Sequence, residues 1–137
     1  MPVLETDFLK GIIDPKDELH PQAKKAMVKV RRGEWRVASS ALLELDLILK
    51  NGKIADEERF DVFNALTVEF PGEMIVPVTH GSLAASISLQ KTYAGIRSFY
   101  FDSIHIGVAI QADGIIVSSD AAFDRISEVK RIGLESL

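Results

Sequence analysis

Residues 100–126 read YFDSIHIGVAIQADGIIVSSDAAFDRI and carry the strongest structural pattern in the chain. Residues 101–112 are apolar on nearly every side, which predicts a buried helix rather than a surface helix. Gly114 interrupts the pattern, and residues 115–117 are apolar enough for a strand covered on both faces. A short helix over residues 120–126 is expected to follow. A buried helix that leads into a buried strand favours an α/β domain with a mostly parallel sheet.

The rest of the chain continues this alternation of strand-like and helix-like segments. Thr6 and Asp56 are predicted helix N-caps, and Ser39 or Ser40 is a third. Pro77 cannot donate to a strand ladder, so its strand belongs at an edge or an end of the sheet. The predicted strands are residues 3–5, 35–38, 74–78, 115–117 and 129–132, and the remaining predicted helices are residues 6–13, 21–30, 39–50, 56–66 and 82–93. These elements predict a three-layer αβα sandwich around a mostly parallel sheet of four to five strands.

Length and composition restrict the class of protein. A chain of 137 residues is expected to form a single domain over residues 1–137. The chain has no cysteine, which excludes disulfides, thiolate zinc sites and cysteine nucleophiles. It has no apolar run long enough to predict a membrane span, and no basic-then-apolar amino terminus typical of a secretory signal. A cytoplasmic protein is therefore expected.

The basic residues are unevenly distributed. A net charge of −4 argues against a general nucleic-acid binder but allows a local basic surface. Six basic residues lie close together between positions 24 and 36. This cluster is either a surface that faces the phosphates of RNA or an ordinary solvated helix face, and the sequence leaves both open. The cluster comprises Lys24, Lys25, Lys29, Arg31, Arg32 and Arg36.

Acidic residues adjoin the most apolar elements of the chain. Glu5 and Asp7 follow the first predicted strand, and Asp120 follows the fourth. Glu44 borders the apolar stripe of the helix that contains residues 41–49 (ALLELDLIL), and Asp102 lies at the start of the buried helix. In parallel sheets ligands bind beyond the carboxyl ends of the strands, where three of these acids are expected.

Each acid also has an ordinary structural explanation. Asp102 and Asp120 are both placed to cap helices. If the first strand continues to Asp7, then Glu5 and Asp7 share one face of it; if Thr6 caps a helix instead, Asp7 lies in the first turn. His105 is three residues after Asp102, on the same helix face, and is more typical of a buried histidine than of a metal ligand.

Together the acids indicate a cation. Carboxylates gathered in one pocket repel one another, which raises their pKa values and destabilises the fold. Hard dications such as Mg²⁺ and Mn²⁺ prefer oxygen ligands and remove that repulsion.

Four short motifs resemble those of the PIN (PilT N-terminal) domain, and the likeness covers nearly the whole chain. That family begins with a strand, an aspartate, Thr or Ser, then Asn or Ser and an apolar helix. VLETDFL at residues 3–9 aligns with this motif without gaps, with Glu5 at the aspartate position and Asp7 at the Asn or Ser position. Its second acid is a glutamate on the helix after the second strand, matching Glu44. Its third acid starts a small-residue helix with a histidine three residues on, as in FDSIH at residues 101–105. Its last motif is an apolar strand, Ser or Thr, any residue and Asp, then Phe-Asp, as in residues 117–124.

The resemblance implies a Mg²⁺- or Mn²⁺-dependent endoribonuclease that cleaves single-stranded or structured RNA. Its metal ligands and catalytic acids would be Glu5 or Asp7, Glu44, Asp102 and Asp120, with one or two ions bound. The residues expected to orient them are Thr6, Ser118, His105 and Asp124. Many relatives are toxins of toxin–antitoxin pairs, which implies a small antitoxin partner, and homodimers or higher homo-oligomers are common in the family.

Two alternatives are open, because Glu5 stands where PIN domains usually have aspartate and because Glu5 and Asp7 resemble the acidic pair of phosphotransfer proteins of the same fold class. One is a PIN-like module that binds metal or RNA without cleaving, since glutamate is one methylene longer. The other is a phosphotransfer protein, either a response-regulator receiver or a phosphatase of the haloacid-dehalogenase type. A receiver needs an aspartate after its third strand, where this chain has Thr79, His80 and Gly81. The phosphatase needs an aspartate nucleophile at the position of Glu5.

Overall fold

Five short parallel strands form the centre of the structure, a computed structural model that describes residues 1–137. Their order across the sheet is β3-β2-β1-β4-β5. In the central part of the sheet Leu4 lies opposite both Val37 and Val117. The strands are β1 Val3–Leu4, β2 Arg36–Ala38, β3 Ile75–Val76, β4 Ile115–Ser118 and β5 Lys130–Gly133. The predicted mostly parallel sheet is therefore confirmed, with five strands.

Six α-helices flank the sheet, because a parallel pair of strands needs a long crossover connection. They confirm the predicted α/β class and are consistent with the three-layer αβα sandwich. The helices are α1 Thr6–Ile13, α2 His20–Arg31, α3 Ser39–Asn51, α4 Asp56–Glu69, α5 His80–Thr92 and α6 Tyr100–Ala112. Four single-turn 3₁₀ segments complete the chain at Gly72–Met74, Ala94–Ile96, Ala121–Arg125 and Leu134–Ser136.

The core lies around the central strands and α6. Val3, Leu4, Ile116 and Val117 are completely buried, so both faces of β1 and β4 are covered. Helix α6 packs against β1, β2 and β4, and α5 packs on α6. The residues of α6 from 103 to 109 are all buried, which confirms the prediction of a buried helix.

The order of the strands creates a crevice at the carboxyl ends of β1 and β4. From β1 the chain moves outward to β2 and β3, and then returns to the other side of β1 to form β4 and β5. The connection that follows β1 therefore runs toward β2, whereas the connection that follows β4 runs in the opposite direction across the sheet, toward β5. A crevice of this kind is the usual ligand site of an open α/β sheet.

Several predicted boundaries and caps are wrong in detail. Helix α1 begins at Thr6, but its N-cap is Glu5, whose side chain accepts the backbone N–H of Asp7. Neither Ser39 nor Ser40 caps α3, because both hydroxyls bond to other parts of the fold. Asp56 is likewise the first helical residue of α4 rather than its cap. The helix predicted at residues 120–126 is a 3₁₀ turn capped by Asp120.

The strands also differ from their predicted lengths. The strand predicted at residues 74–78 is only Ile75–Val76, and β3 is an edge strand, as Pro77 requires. The strands predicted at 3–5 and 35–38 are each one residue shorter. The last strand begins at Lys130 and extends to Gly133.

Gly107 allows α5 and α6 to approach closely. A Cβ at this position would lie 2.3 Å from the carbonyl oxygen of Ser82, which is backbone and cannot rotate away. We expect Gly107→Ala to lower the free energy of unfolding by about 1–3 kcal/mol, because overpacking outweighs the gain in helix propensity. Urea denaturation measures this change. Gly72→Ala is the matched control, since a Cβ there has no neighbour within 4 Å; equal midpoints for the two variants would contradict the prediction.

None of the six helices combines the length and the apolar character that crossing a bilayer requires.

Candidate metal centre

The five predicted acids converge on one cleft at the carboxyl ends of the strands. Glu5 follows β1, Asp7 lies in the first turn of α1, and Glu44 projects from α3. Asp102 lies in the first turn of α6, and Asp120 follows β4. The cleft has a volume of about 220 Å³, and its other lining residues are Thr6, Lys10, Ile48, Ser119 and Phe123. Residues up to 118 positions apart in the chain therefore share one pocket.

Glu5 is the most buried of the acids, with 6% of its surface exposed. Its Oε1 accepts a hydrogen bond of 2.6 Å from the Ser118 hydroxyl. Its Oε2 accepts the backbone N–H of Asp7 at 3.2 Å, which is the N-cap contact of α1. Burial, followed by the charge of Asp7, raises the pKa of the Glu5 carboxyl well above its usual value. These surroundings therefore disfavour the ionised form of Glu5 unless a cation lies beside it.

Asp7 has one oxygen that lacks a hydrogen-bond partner. Its Oδ2 accepts the backbone N–H of Ser119 at 2.6 Å, which ties the start of α1 to the end of β4. Its Oδ1 is buried, and no protein donor reaches it. A buried carboxylate oxygen without a donor is costly unless a cation or water supplies the missing contact.

His105 joins Glu44 to the core beneath the cleft. The ring is completely buried. Its Nδ1 lies 2.7 Å from the Ser40 hydroxyl, and its Nε2 lies 3.2 Å from Oε1 of Glu44 and 3.1 Å from the Thr6 hydroxyl. Because a carboxylate only accepts hydrogen bonds, we infer that Nε2 carries the proton and that the Ser40 hydroxyl donates to Nδ1. In this tautomer His105 orients Glu44 and has no lone pair on Nε2 for a metal.

The pKa of Glu44 reflects opposing effects. Burial raises it, but hydrogen bonds with His105 and Thr6 outweigh burial and leave the pKa below its usual value. Glu44 is therefore an anion held in one orientation, which is the state that a metal ligand requires.

Asp102 has the opposite balance. Burial is the largest effect on the pKa of its carboxyl and raises it. His105 opposes burial, and the charges of Glu44, Asp120 and Asp7 add to it, so that the pKa is about 6. Asp120 lines the cleft and also caps the following 3₁₀ turn, because its Oδ1 accepts the N–H of Ala122 at 2.9 Å. The mutual repulsion expected from the sequence is thus present at Asp102.

Ser118 contacts three other residues of the site: Glu5, Asp120 and Arg131. Its hydroxyl donates to Glu5 and accepts the backbone N–H of Asp120 at 3.0 Å. Its carbonyl accepts a bond of 2.9 Å from Nη1 of Arg131 on β5. The prediction that Ser118 orients a carboxylate matches these contacts.

Asp124 lies outside the cleft, although the motif placed it among the residues that orient the acids. It is exposed, and both its oxygens accept from Arg131, at 3.0 and 3.1 Å. These bonds lower the pKa of Asp124 and, together with Glu135, raise that of Arg131. Asp124 therefore touches the site only through Arg131, which holds the Ser118 carbonyl.

We expect Arg131→Met to lower the free energy of unfolding by about 1–2 kcal/mol. The substitution removes the contacts of Arg131 with Asp124 and Glu135, and it leaves the Ser118 carbonyl without its donor. Thermal unfolding in EDTA measures the change without metal binding. Lys130→Met, at an exposed neighbour on the same strand, is the control. A Tm shift no larger than that of the control would show that the Arg131 contacts contribute little.

The donor set fits a hard dication. The candidate ligand atoms of Glu5, Glu44 and His105 lie within 4.8 Å of one another. The tautomer inferred for His105 disfavours it as a ligand, whereas the unpartnered Asp7 Oδ1 is a free carboxylate oxygen. Oxygen ligands of this kind suit Mg²⁺ or Mn²⁺. The acids that line the cleft, Glu5, Asp7, Glu44, Asp102 and Asp120, are the candidate ligands.

The basic cluster lies away from this cleft, and none of its members lines it. Arg36 begins β2, at the amino end of the strands, opposite the acids. Most of the others are engaged: Lys29 pairs with Glu34 at 2.9 Å, Arg31 pairs with Glu69, Arg32 lies 4.0 Å from Glu34, and Lys25 bonds the Leu137 carbonyl at 3.0 Å. Lys24 is exposed on α2. The role of the cluster in RNA binding stays a prediction, and the cation nearest the acids is Lys10.

Four contributors to the site were missed from the sequence. Lys10 lines the cleft one turn after Asp7, a spacing that does mark a shared helix face. Ser40 contacts His105, Arg131 contacts Ser118, and the backbone of Ser119 contacts Asp7. No sequence pattern signals these three, because each contact joins distant segments.

No protein-family model matches this chain, and no curated protein does so either. The likeness to PIN domains therefore stays a prediction that rests on the four motifs.

Proposed function

We propose that this protein is a Mg²⁺- or Mn²⁺-dependent endoribonuclease with the active site of a PIN-like domain. The observation that carries the proposal is the convergence of five carboxylates at the crevice between β1 and β4, with a buried Asp7 oxygen that no protein group satisfies. Burial and the neighbouring carboxylates raise the pKa of Asp102 to about 6, and a bound cation would offset that cost.

The residues of the cleft have distinct roles in this proposal. A bound dication supplies a water of lowered pKa and neutralises charge on the phosphate oxygens. Asp7, Glu44, Asp102 and Asp120 hold the cation, and Glu5 either ligates directly or fixes Asp7. His105 keeps Glu44 in one orientation, and Ser118 does the same for Glu5.

Lys10 supplies a positive charge beside these acids. It lines the same cleft and lowers the pKa of Glu44. Its ammonium group is placed to attract a backbone phosphate of the RNA, as a flexible point charge.

A second candidate function is a module that binds metal or RNA without cleaving it. The observation that favours it is the state of Glu5, whose two oxygens are both engaged and whose raised pKa favours the neutral acid. A protonated Glu5 would contribute little to a catalytic metal site.

The resemblance supports three finer proposals: the protein acts as the toxin of a toxin–antitoxin pair, it works in the cytoplasm, and it forms a homodimer. The exposed apolar side chains of Leu43, Leu47 and Phe60 on α3 and α4 offer a surface for a second copy. Sedimentation of the purified protein tests the dimer. A short adjacent reading frame whose product inhibits the protein tests the toxin role.

Soaking crystals in Mn²⁺ tests the metal centre directly. The expected result is anomalous density between Asp102 and Asp120, within reach of Glu44. Density confined to surface carboxylates, or none at millimolar Mn²⁺, would refute the centre. Mn²⁺-dependent cleavage of single-stranded RNA then separates the nuclease from the non-cleaving module.

A further inference from the structure

We infer that a pocket beside the acidic cleft binds one unpaired nucleobase next to the phosphate that is cleaved. The inference rests on the proposed function, and it adds a binding site that this function does not assign: a pocket for one base of an unpaired strand. The pocket has a volume of about 540 Å³, within the range of about 300–1,000 Å³ usual for small-molecule sites.

The pocket and the acidic cleft share three residues. Asp102, Asp120 and Phe123 line both, so a ligand in the pocket lies directly beside the acids. The pocket is otherwise bounded by the turn at Ala94–Ile96, the start of α6 and the 3₁₀ turn at Ala121–Arg125.

The wall of the pocket is apolar and partly aromatic. Ile96, Phe123 and Ile126 are buried and form an apolar lining. Phe99 also lines the pocket, although 59% of its surface is exposed. An exposed aromatic ring beside a pocket is a platform on which a base can stack, and such stacking tolerates any base sequence.

The charges on the two sides of the pocket match a nucleotide chain. Asp102 and Asp120 lie on the side of the cleft, where a cation would bind a phosphate. Arg125 also lines the pocket, is exposed and forms no ion pair. A nucleotide in a single strand fits this arrangement, because it has a flat ring with a phosphate on each side. One phosphate would bind the metal, and the next would contact Arg125. An apolar peptide or lipid chain would leave both sets of charges unused.

The pocket selects against duplexes for a simple reason. A base can enter it only after leaving its stack and its pairing partner, which costs free energy that a single strand does not spend. Single-stranded RNA and single-stranded DNA offer the same ring and phosphates, so the experiment includes both.

Fluorescence of 2-aminopurine tests the inference with the full-length protein. The probe is a single-stranded hexamer, made once as RNA and once as DNA, with 2-aminopurine at one position; binding is measured in EDTA and in Mn²⁺. We expect quenching on binding, about tenfold weaker affinity for Phe99→Ala, and near-normal affinity for Phe99→Trp. Ile87→Ala is the matched control, because Ile87 on α5 is as exposed as Phe99, at 59%, and lines neither the pocket nor the cleft. The same hexamer annealed to its complement should bind at least tenfold more weakly.

Arg125→Gln gives a second test, the salt dependence of binding, in which a misfolded variant would not produce the expected change. It should reduce the slope of log affinity against log salt by about one, because one phosphate contact is lost. Equal affinities for Phe99→Ala and Ile87→Ala, or equal binding of duplex and single strand, would overturn the base pocket. A change in oligomeric state in Phe99→Ala without a change in hexamer affinity would also overturn it, because the pocket would then be a protein interface.

The two proposals fail in different ways. If the protein cleaves RNA with Mn²⁺ but Phe99→Ala behaves as the control, only the base pocket is wrong. If Phe99-dependent binding occurs in EDTA and in Mn²⁺ without any cleavage, the base pocket stands and the nuclease is wrong.

Discussion

Asp102→Asn is expected to lower kcat/KM for Mn²⁺-dependent cleavage of single-stranded RNA by at least about a hundredfold, a loss of the size caused by removing one strong electrostatic contact at a reacting centre. Asparagine has the same shape but no charge, so it is a poor ligand for a hard dication. The fold should be retained. Burial and neighbouring carboxylates raise the pKa of Asp102 to about 6, so removing its charge relieves repulsion in the metal-free protein.

Cleavage of a fluorescently end-labelled RNA measures this effect, with wild type and variant purified in parallel. Asp61→Asn on α4 is the matched control, since Asp61 is exposed and lies outside the cleft. Equal cleavage by Asp102→Asn and wild type would locate the activity elsewhere or in a contaminant. Mn²⁺ binding by a wild type that does not cleave would favour the non-cleaving module.

The fold was predictable because hydrophobic pattern determines it. Strands buried on both faces, such as Ile115–Ser118, have no polar face to confuse with a loop. The helix Tyr100–Ala112 is apolar all round and had to be buried. Exact boundaries were less predictable, since they depend on hydrogen bonds. Neither serine caps α3, because the hydroxyl of Ser39 accepts the N–H of Val78 and that of Ser40 bonds His105.

The acids of the site were predictable as a set, but their individual roles were not. Glu5 caps α1 because its carboxylate reaches the N–H of Asp7; a Thr6 cap would instead have to reach an N–H further along the first turn, and either residue type can cap a helix. The consequence is large, because capping by Glu5 leaves the Thr6 hydroxyl free to contact His105. The buried histidine was expected, whereas its partners Ser40 and Thr6 come from segments that the sequence does not relate.

The positions of Asp124, the basic cluster and Phe99 were not predictable, each for a different reason. Asp124 is four residues from Asp120, which would put both on one face of an α-helix, but the segment is a 3₁₀ turn and directs Asp124 to Arg131. The basic cluster is prominent in the sequence, yet Glu34 and Glu69 neutralise much of it. Phe99 attracted no notice because an isolated phenylalanine usually belongs to the core, and only the structure shows its ring exposed beside the acids.

Glu5→Gln should separate stability from metal binding. In EDTA at neutral pH the variant is expected to be more stable than wild type by about 0.5–2 kcal/mol, as is common when strain at a functional site is removed. Glutamine keeps an oxygen for the Ser118 hydroxyl, and its amide can donate to the carboxylate of Asp7; with the removal of the buried charge, this is expected to outweigh the loss of the N-cap bond from the Asp7 N–H. The affinity for Mn²⁺ should fall by on the order of a hundredfold, so the rise in Tm caused by millimolar Mn²⁺ should largely disappear.

The pH dependence of this difference identifies its cause. Burial raises the pKa of Glu5 in the folded state, so folded wild type binds a proton more tightly than the unfolded chain. Its contribution to stability is therefore complete below the unfolded pKa and is lost as pH rises through the folded pKa. The stability gained by Glu5→Gln in EDTA should therefore grow as pH rises from the unfolded to the folded pKa of Glu5. Surface ion pairs contribute equally to the pH dependence of both proteins, so they do not affect this difference. Urea titrations at several pH values measure it, with Glu57→Gln on the exposed first turn of α4 as control. A pH-independent difference would mean that packing, rather than a stressed carboxylate, separates the two proteins.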